Sequence, residues 1–113
     1  MSTSTQNAEH YQWGNNCDGW HLLRSDSLSV IQERMPAGTA EQYHFHERAQ
    51  QLFYILKGRA TFILDNKEQT VREGESLHIP PLIKHCIKNL ETEDLHFLVI
   101  SEPKSHGDRV NLP

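Results

Sequence analysis

Cysteine, long apolar runs and clustered positive charge are all scarce in this 113-residue chain. Its two cysteines, Cys17 and Cys86, stand far apart with no C-x-x-C pair. That argues against a zinc knuckle or a thioredoxin-type dithiol and leaves both thiols to packing. The longest apolar runs, residues 52–56 and 97–100, are far short of the ~20 residues that span a bilayer. The opening MSTSTQNAEH has no apolar core of the kind a secretory signal carries, so a cytoplasmic location is expected. Eleven Lys and Arg are scattered along a chain of net charge −4, which gives no footprint for nucleic acid or an anionic membrane. No stretch sustains a helical i, i+3, i+4, i+7 pattern, and no internal repeat occurs.

What is present is a series of short runs rich in Val, Ile, Leu, Phe and Tyr: WHLLR, LSVIQERM, YHFH, LFYILKG, ATFIL, EQTVRE, ESLHI, KHCIKN and LHFLVIS. Gly38, Lys57-Gly58, Asp65-Asn66-Lys67, Glu73-Gly74 and Pro80-Pro81 punctuate them. Strand-length runs at this spacing predict an all-β sandwich or barrel. ATFIL-DNK-EQTVRE predicts a hairpin, because Asp and Asn tolerate the left-handed backbone of a tight turn. LFYIL is apolar on both parities, so both faces of that strand are expected to be covered, one by the core and the other by a second layer or a partner subunit. A chain of this size buries ~65% of its unfolded surface and needs no staple, so a metal here need not be structural. Residues 1–10 are too polar to repay their ordering entropy and are expected to form a flexible tail.

Alternation along a strand puts His44 and His46 on one face, about 7 Å apart, with Phe45 opposite. Two imidazoles on one face can close on one ion. H-x-H alone is weak evidence, since eight histidines in 113 residues give roughly half an occurrence by chance. The neighbours add weight. Gly38, His44, His46, Gln51 and Gly58 follow the order G-x5-H-x-H-x4-Q-x6-G, and Gly74, Pro80, Leu82, His85 and Asn89 follow G-x5-P-x-L-x2-H-x3-N.

These blocks resemble the paired signature of the cupin superfamily, with Gln51 where glutamate is usual and Leu82 in place of a turn glycine. The resemblance covers residues 38–89 and implies a single cupin-type jelly-roll β-barrel over residues 11–113. It further implies that His44, His46, Gln51 and His85 hold one divalent transition metal, whether Zn, Ni, Mn, Fe or Co. Gln51 shares its strand face with Phe53 and Ile55, where an unpaired amide would cost about 1–3 kcal/mol, and a ligand role would satisfy it. Cupins commonly dimerise by covering a sheet, which with the apolar LFYIL strand leads to an expected homodimer.

Three imidazoles and a neutral amide leave the full +2 charge on a bound ion, which favours Lewis-acid chemistry. The H-x-H-x4-Q variant resembles small cupins that open or isomerise sugar uronates. The expected function is accordingly a metal-dependent isomerase, epimerase or lyase acting on a sugar-like or hydroxy-acid small molecule. A metal-dependent dioxygenase and a non-catalytic small-molecule-binding cupin are the alternatives. Acid–base candidates are sought on and just after the last long run, where His96 and Glu102 are the ionisable groups, with His78 on the second block as a further candidate. Arg34, Arg59 or Arg109 is the candidate partner for an acidic substrate group, and Tyr43, Tyr54, Trp13 and Trp20 are candidate pocket aromatics.

Overall fold

A computed structural model describes residues 2–113. All nine runs form strands, and two more flank them. The chain order is β1 (Glu9–Trp13), β2 (Cys17–Arg24), β3 (Ser29–Met35), β4 (His44–His46), β5 (Gln50–Lys57), β6 (Arg59–Leu64), β7 (Lys67–Arg72), β8 (Ser76–Ile79), β9 (His85–Lys88), β10 (Leu95–Glu102) and β11 (Arg109–Asn111). Every pairing is antiparallel. A six-stranded sheet runs β1-β2-β3-β10-β5-β8 and a five-stranded sheet β11-β4-β9-β6-β7, the all-β jelly-roll arrangement. Among the described residues no helix is long and apolar enough to cross a membrane.

The core lies between the sheets. Alternation is clearest in β10, where Leu95, Phe97, Val99 and Ser101 are buried and the residues between them are not. Phe53 of β5 meets Phe62 of β6 edge-on at 5.1 Å across the gap between the sheets, and Phe97 packs on Phe53 from the same sheet at 5.7 Å. Burying each such side chain contributes about 1.5–3 kcal/mol. Cys17 and Cys86 are free and buried, in keeping with a packing role.

The β6–β7 hairpin closes on two residues, Asp65 (φ 46°) and Asn66 (φ 69°), with Leu64 paired to Lys67. Both turn residues are left-handed, as a type I′ turn requires. Leu82 also has a positive φ of 73°, so the chain keeps the backbone that the usual glycine would adopt and bears the strain of a γ-branched side chain there.

One expectation changes. The tail is shorter than residues 1–10, because β1 begins at Glu9 and pairs with β2 from Glu9↔His21 to Trp13↔Cys17. Ahead of it, Ser4 accepts the backbone amides of Asn7 and Ala8 in a closed turn. On β5 only one face is covered within the chain: Gln51, Phe53 and Ile55 are buried, while Leu52, Tyr54 and Leu56 are 36%, 39% and 38% exposed.

Candidate metal centre

β4 and β9 lie side by side, and His44 and His85 are direct register partners. Alternation places His46 on the face of His44, as the H-x-H spacing requires. The three imidazoles are buried, and one nitrogen from each lies within 4.8 Å of the others. Their ring centroids are 4.9 Å apart for His44 and His46 and 4.3 Å for His44 and His85.

Each ring is fixed by a backbone carbonyl. His44 Nδ1 lies 2.8 Å from Gln42 O, His85 Nδ1 2.8 Å from Ile83 O, and His46 Nδ1 2.9 Å from Asp108 O. A carbonyl only accepts, so all three Nδ1 atoms carry the proton and each Nε2 presents a lone pair. Such orientation by the far nitrogen is typical of metal-ligating histidine. Burial holds the imidazoles neutral. It pushes His44 down to about 3, helped by the nearby His85, and His85 down to about 4, and it lowers His46 as well.

Gln51 reaches the same cavity from β5, on the other sheet. Its Nε2 donates to Ser101 Oγ at 3.1 Å, while its Oε1 is buried without a hydrogen-bond partner. His85 Nε2 is likewise buried and unpartnered. Two orphaned acceptors beside two further imidazoles are what one divalent cation would satisfy, so these residues fit a metal site. Three imidazoles with an amide or water oxygen suit Zn, Ni, Co, Fe or Mn.

Asp108 supports the site from the segment before β11. Its carboxylate accepts the backbone amides of Ala49 (2.9 Å), Arg48 (3.0 Å) and Glu47 (3.2 Å), while its carbonyl holds His46. Burial alone would raise this carboxyl, but the three N–H donors keep it below the ordinary range. One residue therefore fixes both His46 and the loop leading to Gln51.

The cavity beside the imidazoles holds about 310 Å³ and is also lined by Tyr11, Trp13, Glu33, Glu41, His106 and Arg109. Glu33 accepts a hydrogen bond from Tyr11 Oη at 3.1 Å, and burial together with the charge of Glu41 pushes it up to about 8. Glu41 is pushed up to about 7 by burial, against the pull of Arg109 at 3.3 Å, and its Oε1 has no hydrogen-bond partner.

The sequence-based candidates divide. His44, His46, Gln51 and His85 come together. His96 and Glu102 do not join them: both lie on the outward parity of β10, and Glu102 is exposed and accepts Gln50 Nε2 at 2.7 Å. They lie on the wrong face because the inward parity of that strand belongs to Leu95, Phe97, Val99 and Ser101. His78 is exposed on Gln50, Arg34 is paired to Asp18 and Asp94, and Arg59 to Glu91. Of the three arginines only Arg109 edges the cavity, and of the four aromatics only Trp13. The sequence did carry a signal for Glu33, since in β3 it shares its parity with the buried Ile31 and Met35. Glu41 lies outside any strand and carried none.

Comparison with known proteins agrees with this picture. Residues 31–101 match the family model for the cupin domain. An uncharacterised protein of Methanocaldococcus jannaschii is 35% identical over 89 residues, covering 78% of this chain and 71% of that protein. An oxalate-binding protein of Thermotoga maritima is 28% identical over 85 residues, covering 71% of this chain and 70% of that protein. The structure of KdgF from a Halomonas species superposes with a TM-score of 0.84 at 16% identity, covering 95% of this chain and 98% of that one.

Proposed function

Because the chain belongs to the cupin domain family, we propose that it is a metal-dependent enzyme that moves a proton on a small oxygen-rich acid, as an isomerase, epimerase or lyase of a sugar acid or hydroxy acid. One observation carries this reading: of a ligand set with no charge, His44, His46, His85 and Gln51, three members, His44, His46 and Gln51, line a single cavity together with two carboxyl groups outside the histidine cluster, Glu33 and Glu41. A divalent ion held by that set would keep its +2 charge and supply Lewis acidity toward a substrate oxygen.

The protein's own groups supply the rest. Arg109 edges the cavity with a side chain 35% exposed, and it is the cation that an acidic substrate meets there. Its partner Glu41 loses charge near neutral pH, which leaves the guanidinium available to a carboxylate. Trp13 and Phe53 give the wall an apolar side that limits water around the reacting carbon.

A second reading, binding without turnover, has one supporting observation. A relative 28% identical is an oxalate-binding protein, and Arg109 beside a cationic centre would suit a small dicarboxylate. The experiment that separates them loads the protein with Zn, Ni or Mn and incubates it in D2O with uronates, hydroxy acids and oxalate. Deuterium incorporation or a new isomer in the proton NMR spectrum supports the enzyme. Tight oxalate binding with no change in any compound supports the binder.

A further inference from the structure

Three neighbouring strands bring Tyr11, Gly19 and Glu33 into one row. Tyr11 of β1 pairs with Gly19 of β2, and Gly19 pairs with Glu33 of β3. The tyrosine ring lies across the glycine to reach the glutamate two strands away, its Oη 3.1 Å from Glu33 Oε2. A Cβ at Gly19 would stand 2.6 Å from both Cε1 and Oη of Tyr11, so no other residue leaves the ring in place. Tyr11 stays a donor, because burial and the facing Glu33 push its phenol up. Glu33 therefore keeps one oxygen tied to Tyr11 and lines the cavity beside the imidazole cluster, on the opposite sheet from β4 and β9.

We propose that Glu33 is the proton-exchanging group of this cavity, a catalytic carboxyl that Tyr11, laid over Gly19, positions toward the substrate. The assignment rests on the isomerase reading above for its substrate class, a sugar acid or hydroxy acid with a hydrogen-bearing carbon beside a carbonyl. The ionised carboxylate takes the proton from that carbon. The C–H electron pair becomes the C=C of an enediolate, and the carbonyl π pair becomes a lone pair on oxygen. In an isomerisation the adjacent hydroxyl passes its proton to that oxygen and its O–H electron pair closes a new C=O, while the C=C pair takes the proton that Glu33 returns to the neighbouring carbon. In a hydroxy acid the proton returns to the carbon it left, and either way the carboxylate ends as it began. Nothing is oxidised or reduced overall, and no co-reactant is needed.

The charged or titratable groups around Glu33 are Tyr11 from β1, Cys17 from β2, Glu41 from the segment before β4, Arg109 from β11 and, on the same cavity, His44, His46 and His106; of these Glu41, Tyr11 and Arg109 act on it most. Burial and the Glu41 charge raise the Glu33 carboxyl, whereas the Tyr11 bond and Arg109 lower it, for a value of about 8. A group near the working pH both accepts and returns a proton readily. Tyr11 acts only through Glu33 and is a positioning residue.

The test titrates metal-free protein carrying 13C-labelled glutamate carboxyls by NMR, and follows deuterium uptake by zinc-loaded protein with D-galacturonate and tartrate as probes. A resonance titrating near pH 8 should vanish in Glu33→Gln. In Tyr11→Phe it should move up by about one pH unit, because the lost hydrogen bond favoured the ionised form. Gly19→Ala should act in the same direction, with Tyr11→Phe as the milder variant should the alanine unfold the protein. Deuterium uptake should fall at least ~100-fold in Glu33→Gln, with zinc content unchanged. Uptake within twofold of wild type in Glu33→Gln, or a Glu33 resonance titrating in the ordinary carboxylate range, overturns the proposal. Absence of uptake by the wild type counts against the isomerase reading. The titration then decides Glu33 separately: an elevated value that moves in Tyr11→Phe sustains it, and an ordinary or unmoved value removes it.

Discussion

Gln51 donates from its amide nitrogen to Ser101 and keeps a buried, unpartnered oxygen in the cavity that His44 and His46 also line, so its chemistry is readable through substitution. Gln51→Glu should bind metal more tightly, since a carboxylate adds a charge interaction at the same position. Activity should nevertheless fall, because the net charge of the site drops from +2 to +1. Gln51→Leu should weaken binding by leaving that position to water. Competition with a chelator measures all three, and equal affinities would mean that Gln51 never contacts the ion. Asp108 offers a contrast, because it touches no metal. Asp108→Ala removes three bonds to loop amides and should cost about 2–3 kcal/mol in a urea melt. It should also loosen metal binding by about tenfold: the carbonyl that holds His46 remains, but the loop between His46 and Gln51 loses the carboxylate that anchors it. At Leu82 the expected effect reverses sign. Its side chain is 62% exposed and its φ is 73°, so Leu82→Gly relieves left-handed strain at little loss of packing. A stability gain of about 0.5–1 kcal/mol is expected, seen as a rise of a few degrees in Tm.

Among the elements, β5 carries the most consequence after the imidazole strands. Its inner face supplies Gln51 and the core, and its outer face leaves Leu52, Tyr54 and Leu56 to solvent within one chain. On the neighbouring β10, Ile100 lies opposite Leu52 and Leu98 opposite Tyr54, so the apolar surface is continuous across two strands. We propose that a second copy of the chain covers this face. Sedimentation at tens of micromolar should then show a dimer, and Leu52→Glu with Leu56→Lys should give a folded monomer. A wild-type monomer at that concentration would contradict it. The same strands show what could be read from the sequence. Nine elements were legible because their side chains alternate or run apolar over strand length. β1, EHYQW, contains only two partly buried aromatics, and β11 has three residues, so neither carries a period of its own. Both are edge strands whose place is set by pairing with β2 and β4. His44 and His46 were legible as a pair through the strand period, whereas Gln51 and His85 joined them only through the resemblance to the cupin signature. Of the two carboxyl groups, Glu33 carried a signal in its parity with Ile31 and Met35, while Glu41 carried none, because it lies in the segment between β3 and β4 and reaches the cavity only through the tertiary fold. Attention to the last long strand led to His96 and Glu102, whose parity sends them outward.

For the molecule as a whole, its buried ionisable groups set a distinctive pH profile. His44 and His85 sit near 3 and 4 in the fold against 6.5 when free, so between those limits the unfolded chain binds more protons. Stability therefore falls as pH drops from about 6.5. Glu33 and Glu41 sit near 8 and 7 against 4.5, so the fold keeps protons that the unfolded chain releases, and stability falls as pH rises above 4.5. The two slopes oppose each other between these values. Metal-free protein should thus be most stable between about pH 4.5 and 6.5 in urea melts, with losses on both sides. A steady rise in stability up to pH 8 would show that the carboxyls are ionised in the fold. The central claim is that His44, His46, His85 and Gln51 hold one divalent ion in a barrel whose core folds without it. It is tested most directly by titrating metal-free wild type, His44→Ala and His85→Ala with zinc, with circular dichroism on the same samples. One equivalent bound by the wild type, none bound tightly by either variant, and the same β-sheet spectrum in all three is the predicted result. A full equivalent retained by both variants, or none taken up by the wild type, would contradict it.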